Sequence, residues 1–329
     1  MIEITPRNIR TWSMLGQRGA AFTMALPDIA AEQENVMVLT ADLSLLSGLE
    51  RFRETYPERF LDVGIAEQNM IGIAAGLAKE GNCVFATTYA TFITMRSFEQ
   101  IRNNLGVMGF NVKIIGSAAG VSMGTSGNCH HSIEDIALMR VIPNMQVISP
   151  ADAMEAIKVM QAVSKTSQPA YVRLTGVLNC PTVYKEDYAF EIGKGIVLNE
   201  GKDIAIIATG TLIAEALKAT WKLNEQGINP TVVNMHTIKP LDTELIAKLA
   251  QEHSVIYTLE EHSVIGGLGG AVAECLAELG TATKLVRLGF KDQYSRLGSY
   301  EYILQQNGLD AESISEAIAK NGKDISVKC

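Results

Sequence analysis

The sequence predicts an α/β protein made of two doubly wound domains, a parallel-sheet domain followed by a smaller α/β domain. Three observations predict it. Short β-branched runs, apolar almost throughout, alternate with amphipathic stretches of ten or more residues; the alternation lapses between Cys180-Pro181 and Ile192-Gly193; a second alternating series begins at Asp203. Runs without a polar face suit strands buried on both sides, and the long segments between them suit the crossover helices of a parallel sheet. At 329 residues, 47% of them hydrophobic, the chain can build two cores, and the domains are drawn at 1-185 and 190-329.

A helix-like stretch runs from about Thr11 to Glu34 and leads into the strand Val36-Met37-Val38-Leu39-Thr40. Then come a long apolar helix after Glu67, the strand Cys83 to Thr87, a helical segment from Phe92 to Leu105 and the strand Val112-Lys113-Ile114-Ile115. A helix near Ile133 to Arg140, the strand Gln146-Val147-Ile148, a helix from Asp152 to Ser164 and the strand Ala170 to Leu174 complete the first series. The second series has strands at Asp203 to Ala208, Thr231 to Asn234, Val255 to Leu259 and Lys284 to Leu288. Its helices cover Ile213 to Glu225 and follow Asp242 and Gly266.

A net charge of −8 argues against nucleic acid or an anionic membrane as the main partner, since both need basic surfaces. The opening Met1-Ile2-Glu3-Ile4-Thr5-Pro6-Arg7 has no basic segment leading into an apolar one, so no signal peptide is read and a cytoplasmic location is expected. Cys83, Cys129, Cys180, Cys275 and Cys329 are scattered and form no C-x-x-C pair, which reads as free thiols and no zinc site.

Two segments stand out chemically. Asp62-Val63-Gly64-Ile65-Ala66-Glu67-Gln68-Asn69-Met70 places Glu67 at the mouth of the apolar helix. A carboxyl group held there without a partner would have its pKa raised by burial, favouring the neutral form that can polarise a ring nitrogen. The plainer reading is an acidic residue favoured by the helix macrodipole. The second segment, Ala118 to Ser132, is a loop of small and polar residues between a strand and a helix, where open α/β sheets bind ligands. Cys129 and His130 are adjacent there, but neighbours on an extended segment point apart, so a thiol-imidazole dyad is not expected. Ser132 is expected to cap the following helix, with His131 capping or facing solvent. Gly266-Gly267-Leu268-Gly269-Gly270 fits neither the dinucleotide nor the P-loop pattern and reads as close packing of a helix. Glu260-Glu261-His262 is left open between an interface and a structural network.

Asp62 to Met70, Thr91 to Asn103 and Ser132 to Met145 closely resemble the pyrimidine-binding domain of transketolases, and Glu260-Glu261-His262 with the following Gly-Gly-Leu-Gly resembles the transketolase C-terminal domain. The resemblance spans essentially the whole chain. It implies dependence on thiamine diphosphate and transfer of a two-carbon ketol unit from a ketose donor to an aldose acceptor. No Gly-Asp-Gly motif is present, so the chain resembles the second half of a split transketolase. The resemblance then implies a partner subunit carrying the diphosphate domain, with Mg2+ or another divalent cation held mainly by that partner, and two copies of each chain.

The same resemblance assigns roles. Glu67 would contact the aminopyrimidine ring nitrogen, Phe92 and Phe98 would surround the pyrimidine, and Asp42 would lie in the cofactor-contacting loop. His130 would contact the donor's terminal hydroxyl. The chain also departs from the family. Thr125-Ser126-Gly127-Asn128-Cys129-His130 puts Ser126 where transketolases have an aspartate that senses a sugar hydroxyl. Ala118 stands for a phosphate-contacting histidine, Gly176 lies near the position of a phosphate-gripping arginine, and Arg18 falls near the remaining phosphate-contacting position. An unusual sugar, branched, sulfonated or with its phosphate bound elsewhere, is therefore expected. Alternatives are the β subunit of a 2-oxo acid dehydrogenase E1 component, a deoxyxylulose-phosphate synthase-like activity, and a non-catalytic assembly subunit.

Overall fold

The computed structural model describes residues 2–326, with side chains described through residue 320. Met1 and Cys329, which enter the leader and cysteine expectations, lie outside the described residues. The first series yields β1 (Val36–Thr40), β2 (Phe60–Asp62), β3 (Cys83–Tyr89), β4 (Val112–Ala119), β5 (Gln146–Ile148) and β6 (Ala170–Thr175). The second yields β7 (Ile196–Asn199), β8 (Ile204–Ala208), β9 (Pro230–Asn234), β10 (Thr237–Lys239), β11 (Val255–Ser263) and β12 (Lys284–Phe290). They form a seven-stranded sheet in the order β10-β5-β6-β4-β3-β1-β2 and a five-stranded sheet in the order β12-β11-β8-β9-β7.

Both sheets are parallel except at one edge. Every residue of β4 and β6 is buried, as expected for central strands covered by helices on both faces. The antiparallel members are β7, which pairs with β9, and β10, which pairs with β5 through Thr237–Ile148 and Lys239–Val147. These edges are short and carry polar residues, so the apolar-run pattern does not mark them. Because β10 follows β9 in the chain yet joins the first sheet, the two domains share a sheet edge. Lys239 Nζ secures the graft by donating to the Arg140 carbonyl at 2.8 Å.

The expected single helix from Thr11 to Glu34 is broken into Pro6–Gly19, a π-helical turn at Ala20–Ala25 and Leu26–Glu32. Gly16 adds a kink inside Pro6–Gly19. Its φ is 71°, and a Cβ there would stand 2.3 Å from the Val177 carbonyl oxygen, so only glycine lets the segments touch. The expected helix from Phe92 to Leu105 likewise resolves into π-helical Phe92–Arg96, α-helical Phe98–Ile101 and π-helical Arg102–Val107. Such π turns collect at functional sites because they rotate side chains off the regular helical face.

The helix Glu67–Lys79 buries Met70, Ile71 and Ala74 against Val84 and Ala86 of β3. Each large side chain withdrawn from water contributes about 1.5–3 kcal/mol, which fixes the helix mouth relative to the sheet. The carboxyl ends of β1, β2, β3, β4 and β6 thereby meet Glu67, the loop 120–132 and the turn at Gly16. Among the described residues, no helix is long and apolar enough to cross a membrane. The described cysteines Cys83, Cys129, Cys180 and Cys275 are free.

Candidate active site

Glu67 is the first residue of its helix, and the preceding Ala66 supplies no side-chain cap. The carboxylate is only 6% exposed. It is not without a partner, however. Arg96 Nη1 donates to Glu67 Oε1 at 3.0 Å, which corrects the expectation of an unpaired acid. Arg96 stays half exposed and lies over the Phe92 ring with Cζ 3.9 Å from its centroid. Gln68 Nε2 donates to the Arg96 carbonyl at 3.0 Å, so the π turn and the helix mouth are locked together. Oε2 of Glu67 makes no hydrogen bond among the described residues.

Phe92 links this pair to the histidine loop. Its ring centroid is 5.4 Å from that of His130, edge on, and Tyr89 at the end of β3 completes the cluster at 5.9 Å from Phe92 and 6.1 Å from His130. Residues 128–130 form a turn, not an extended run, so adjacent side chains converge. Cys129 Sγ is 3.3 Å from His130 Nδ1, and the expectation that they point apart is wrong. His131 is buried and holds the loop from inside, Nε2 donating to the Gly124 carbonyl at 3.0 Å. Burial lowers its pKa. Ser132 does not cap the helix, which starts at Asp135 and has Glu134 in the cap position.

The loop closes on itself and on the second domain. Gly120 and Ser132 exchange backbone hydrogen bonds of 3.0 and 2.8 Å. Glu261 of β11 accepts the Val121 N–H at 2.7 Å, together with the hydroxyls of Thr211 and Tyr300 at 3.0 and 2.8 Å. Gly120 makes this approach feasible: its φ is 67°, and a Cβ would stand 2.0 Å from Glu261 Oε1. Asn128 Nδ2 reaches the Ser295 carbonyl at 3.2 Å. Arg173 and Asp135, both buried, pair at 2.8 Å, and Arg173 also donates to the carbonyls of Ser132 and Glu261.

The open question about Glu260-Glu261-His262 is settled as a structural network. Glu260 accepts the N–H groups of Leu268 and Gly269 at the start of the next helix, yet burial outweighs those bonds and pushes its pKa up to about 7. His262 accepts the Ala137 N–H on Nε2 at 3.3 Å and donates from Nδ1 to the Ser263 carbonyl at 2.7 Å. Both bonds require the neutral ring, and burial lowers its pKa to about 4.

The other sequence candidates are distributed around this centre. Asp42 is exposed in a left-handed conformation, φ 57°, just past β1, and its N–H donates to Asp62 Oδ1 at 2.9 Å. Phe98 is half-buried against the core beneath the site. Ser126 is exposed at the end of the 3₁₀ turn Gly124–Ser126. Arg18 forms no hydrogen bond or ion pair among the described residues. Burial pulls its pKa below the ordinary arginine range, opposed by the nearby Tyr89. Ala118 and Gly176 are neighbours: a Cβ on Gly176 would lie 3.1 Å from that of Ala118. Sequence reading missed Arg96 and Tyr89. An aromatic, an aromatic and a cation at 89, 92 and 96 were the available signal.

The family model for the transketolase pyrimidine binding domain matches residues 17–178, and that for the transketolase C-terminal domain matches residues 193–314. A transketolase C-terminal section from Methanocaldococcus jannaschii is 44% identical over 300 residues, covering 91% of this chain and 94% of its own. A 6-deoxy-6-sulfo-D-fructose transketolase subunit from Clostridium sp. is 38% identical over 294 residues, covering 89% and 90%. A solved split gene transketolase, an inactive beta4 tetramer, superposes with a TM-score of 0.85 at 41% identity and covers 92% of this chain and 97% of its own. The chain is therefore one of the thiamine diphosphate-dependent enzymes. Within them it belongs to the transketolase family and corresponds to its C-terminal section, which favours transketolase over the dehydrogenase β subunit.

Proposed function

We propose that this chain is the pyrimidine-binding, catalytic subunit of a two-subunit transketolase. A separate chain carries the diphosphate and metal site, with two copies of each chain in the working assembly. The missing Gly-Asp-Gly motif supports the division, as does the solved relative, whose tetramer of one chain type is described as inactive. The observation that carries the assignment is the unbroken line from Glu67 through Arg96 and Phe92 to His130.

The residues present fit the pyrimidine end of thiamine diphosphate. A nearly buried carboxylate with Oε2 free, beside a half-buried aromatic ring, suits a flat heterocycle with a basic ring nitrogen. When bound, the cofactor supplies the nucleophilic carbon for ketol transfer. Glu67 would offer Oε2 to share a proton with the pyrimidine nitrogen, while Arg96 keeps Oε1 engaged and the carboxylate oriented. With the cofactor bound, Phe92 and Phe98 would border the ring, and Asp42, in the loop after β1, would approach it. His130 contacts the donor's terminal hydroxyl, and Ser126 and Arg18 face the rest of the sugar.

The donor is a ketose without an ordinary terminal-phosphate grip. Ala118 and Gly176 leave no charged group at two adjoining positions, and charge-assisted bonds are those that fix phosphates. The sulfonated sugar named for the Clostridium relative supports an unusual substrate. The test is co-purification with a chain bearing Gly-Asp-Gly, followed by a donor panel. Sulfonated, branched or unphosphorylated ketoses should be cleaved faster than xylulose 5-phosphate, and efficient turnover of ordinary pentose phosphates would refute the assignment.

A further inference from the structure

We propose that the Cys129 thiol fixes the tautomer of His130, so that Nε2 meets the sugar as a hydrogen-bond acceptor, a role that rests on His130 lying in the donor site. Cys129 Sγ is 3.3 Å from His130 Nδ1 and 3.8 Å from the Ser126 carbonyl oxygen. A thiol offers one weak donor and one weak acceptor. Its two neighbours are an imidazole nitrogen, which can donate or accept, and a carbonyl, which can only accept. One arrangement turns both contacts into hydrogen bonds: S–H donates to Ser126 O, and Nδ1–H donates to Sγ. The reverse, S–H into a bare Nδ1, turns a sulfur lone pair on Ser126 O. No other group among the described residues donates to that carbonyl.

With the proton on Nδ1, the neutral ring carries its lone pair on Nε2. Nε2 makes no hydrogen bond among the described residues, while Tyr89 and Phe92 hold the ring edgewise. A sugar hydroxyl can donate to that lone pair; a carbonyl, phosphate or sulfonate oxygen cannot. Cys129 is thus a positioning residue that makes this corner of the site select a hydroxyl.

The test reads the tautomer directly. In the full chain labelled with 15N-histidine, with His130→Ala assigning the signal, multiple-bond 15N–1H correlations should show the neutral His130 ring protonated on Nδ1. Cys129→Ala should move the proton toward Nε2, and Cys129→Ser, whose hydroxyl can donate and accept, should restore Nδ1. In the reconstituted pair, Cys129→Ala should raise the donor KM about fivefold, the worth of one hydrogen bond. Cys129→Ser should leave the donor KM near the wild-type value. A wild-type ring protonated on Nε2, or a tautomer unmoved by Cys129→Ala, would overturn the proposal. The spectrum requires no turnover, so a pair that fails to cleave any ketose would remove the donor-site role while the tautomer result still stands or falls alone.

Discussion

Arg96 Nη1 holds Glu67 Oε1 at 3.0 Å across a separation of 29 residues, while the same guanidinium covers the face of Phe92. One half-exposed cation therefore orients both an acid and an aromatic ring at the helix mouth. Arg96→Ala should weaken cofactor binding by the reconstituted pair about fivefold, a modest figure because solvent screens the outer side of the pair. Arg96→Lys should recover only part of the loss, since an ammonium lacks the flat face that covers Phe92. Cofactor titration measures both, and unchanged affinity in Arg96→Ala would contradict the orienting role.

The buried pair of Asp135, which opens the helix after the 120–132 loop, and Arg173 of β6 ties both elements to β11 through the Glu261 carbonyl. Asp135→Ala leaves Arg173 buried without its counterion and should cost roughly 3–5 kcal/mol in urea unfolding. A loss under about 1 kcal/mol would mean water reaches Arg173, against its burial here.

Stability should depend on His262 at mildly acid pH. Burial lowers its pKa to about 4 from an ordinary 6.5, so the unfolded chain binds a proton that the folded chain refuses between those values. The contribution is complete above about pH 6.5 and is lost as pH falls toward 4, roughly 3 kcal/mol in all. Asp152 works with the opposite sign: burial raises its pKa to about 6, and its contribution falls as pH rises toward that value. The comparison that isolates His262 is therefore between wild type and His262→Gln, the variant being less stable at pH 7 with a flatter decline on acidification. Equal slopes would show that His262 does not carry the dependence.

Among the described residues Arg18 makes no hydrogen bond or ion pair, and it lies near Tyr89. Arg18→Ala should lower kcat/KM for anionic ketoses about tenfold or more and leave neutral ketoses nearly unchanged, because only the former lose a charge-assisted bond. Equal losses on both substrates would assign Arg18 to the architecture of the Gly16 turn.

Local pattern carried most of the fold. The strands from Val36, Cys83, Val112, Ala170 and Ile204 are apolar runs, and each becomes an inner strand of its sheet. What local pattern could not carry was pairing at long range. Thr237–Lys239 reads as a fragment after Asn234, and only its register against Ile148 and Val147 makes it a strand of the other domain. Glu67 was legible as an unusual acid from its apolar helix. Arg96 was not, because their contact depends on the π turn that swings residues 92–96 off helical register. The Cys129–His130 contact was misjudged for a related reason: the glycine-rich loop curls into a turn whose ends are tied by Gly120 and Ser132, and the bracing Glu261 lies 140 residues from Val121.

In the proposed assembly Glu67 activates a cofactor whose diphosphate is held by another subunit. The most direct measurement is donor cleavage by Glu67→Ala reconstituted with the Gly-Asp-Gly chain, alongside sedimentation of the complex. Assembly should be unchanged and ketose cleavage should fall about a hundredfold or more, the scale of losing a proton-transfer group. Wild-type turnover in an intact Glu67→Ala complex would contradict the account.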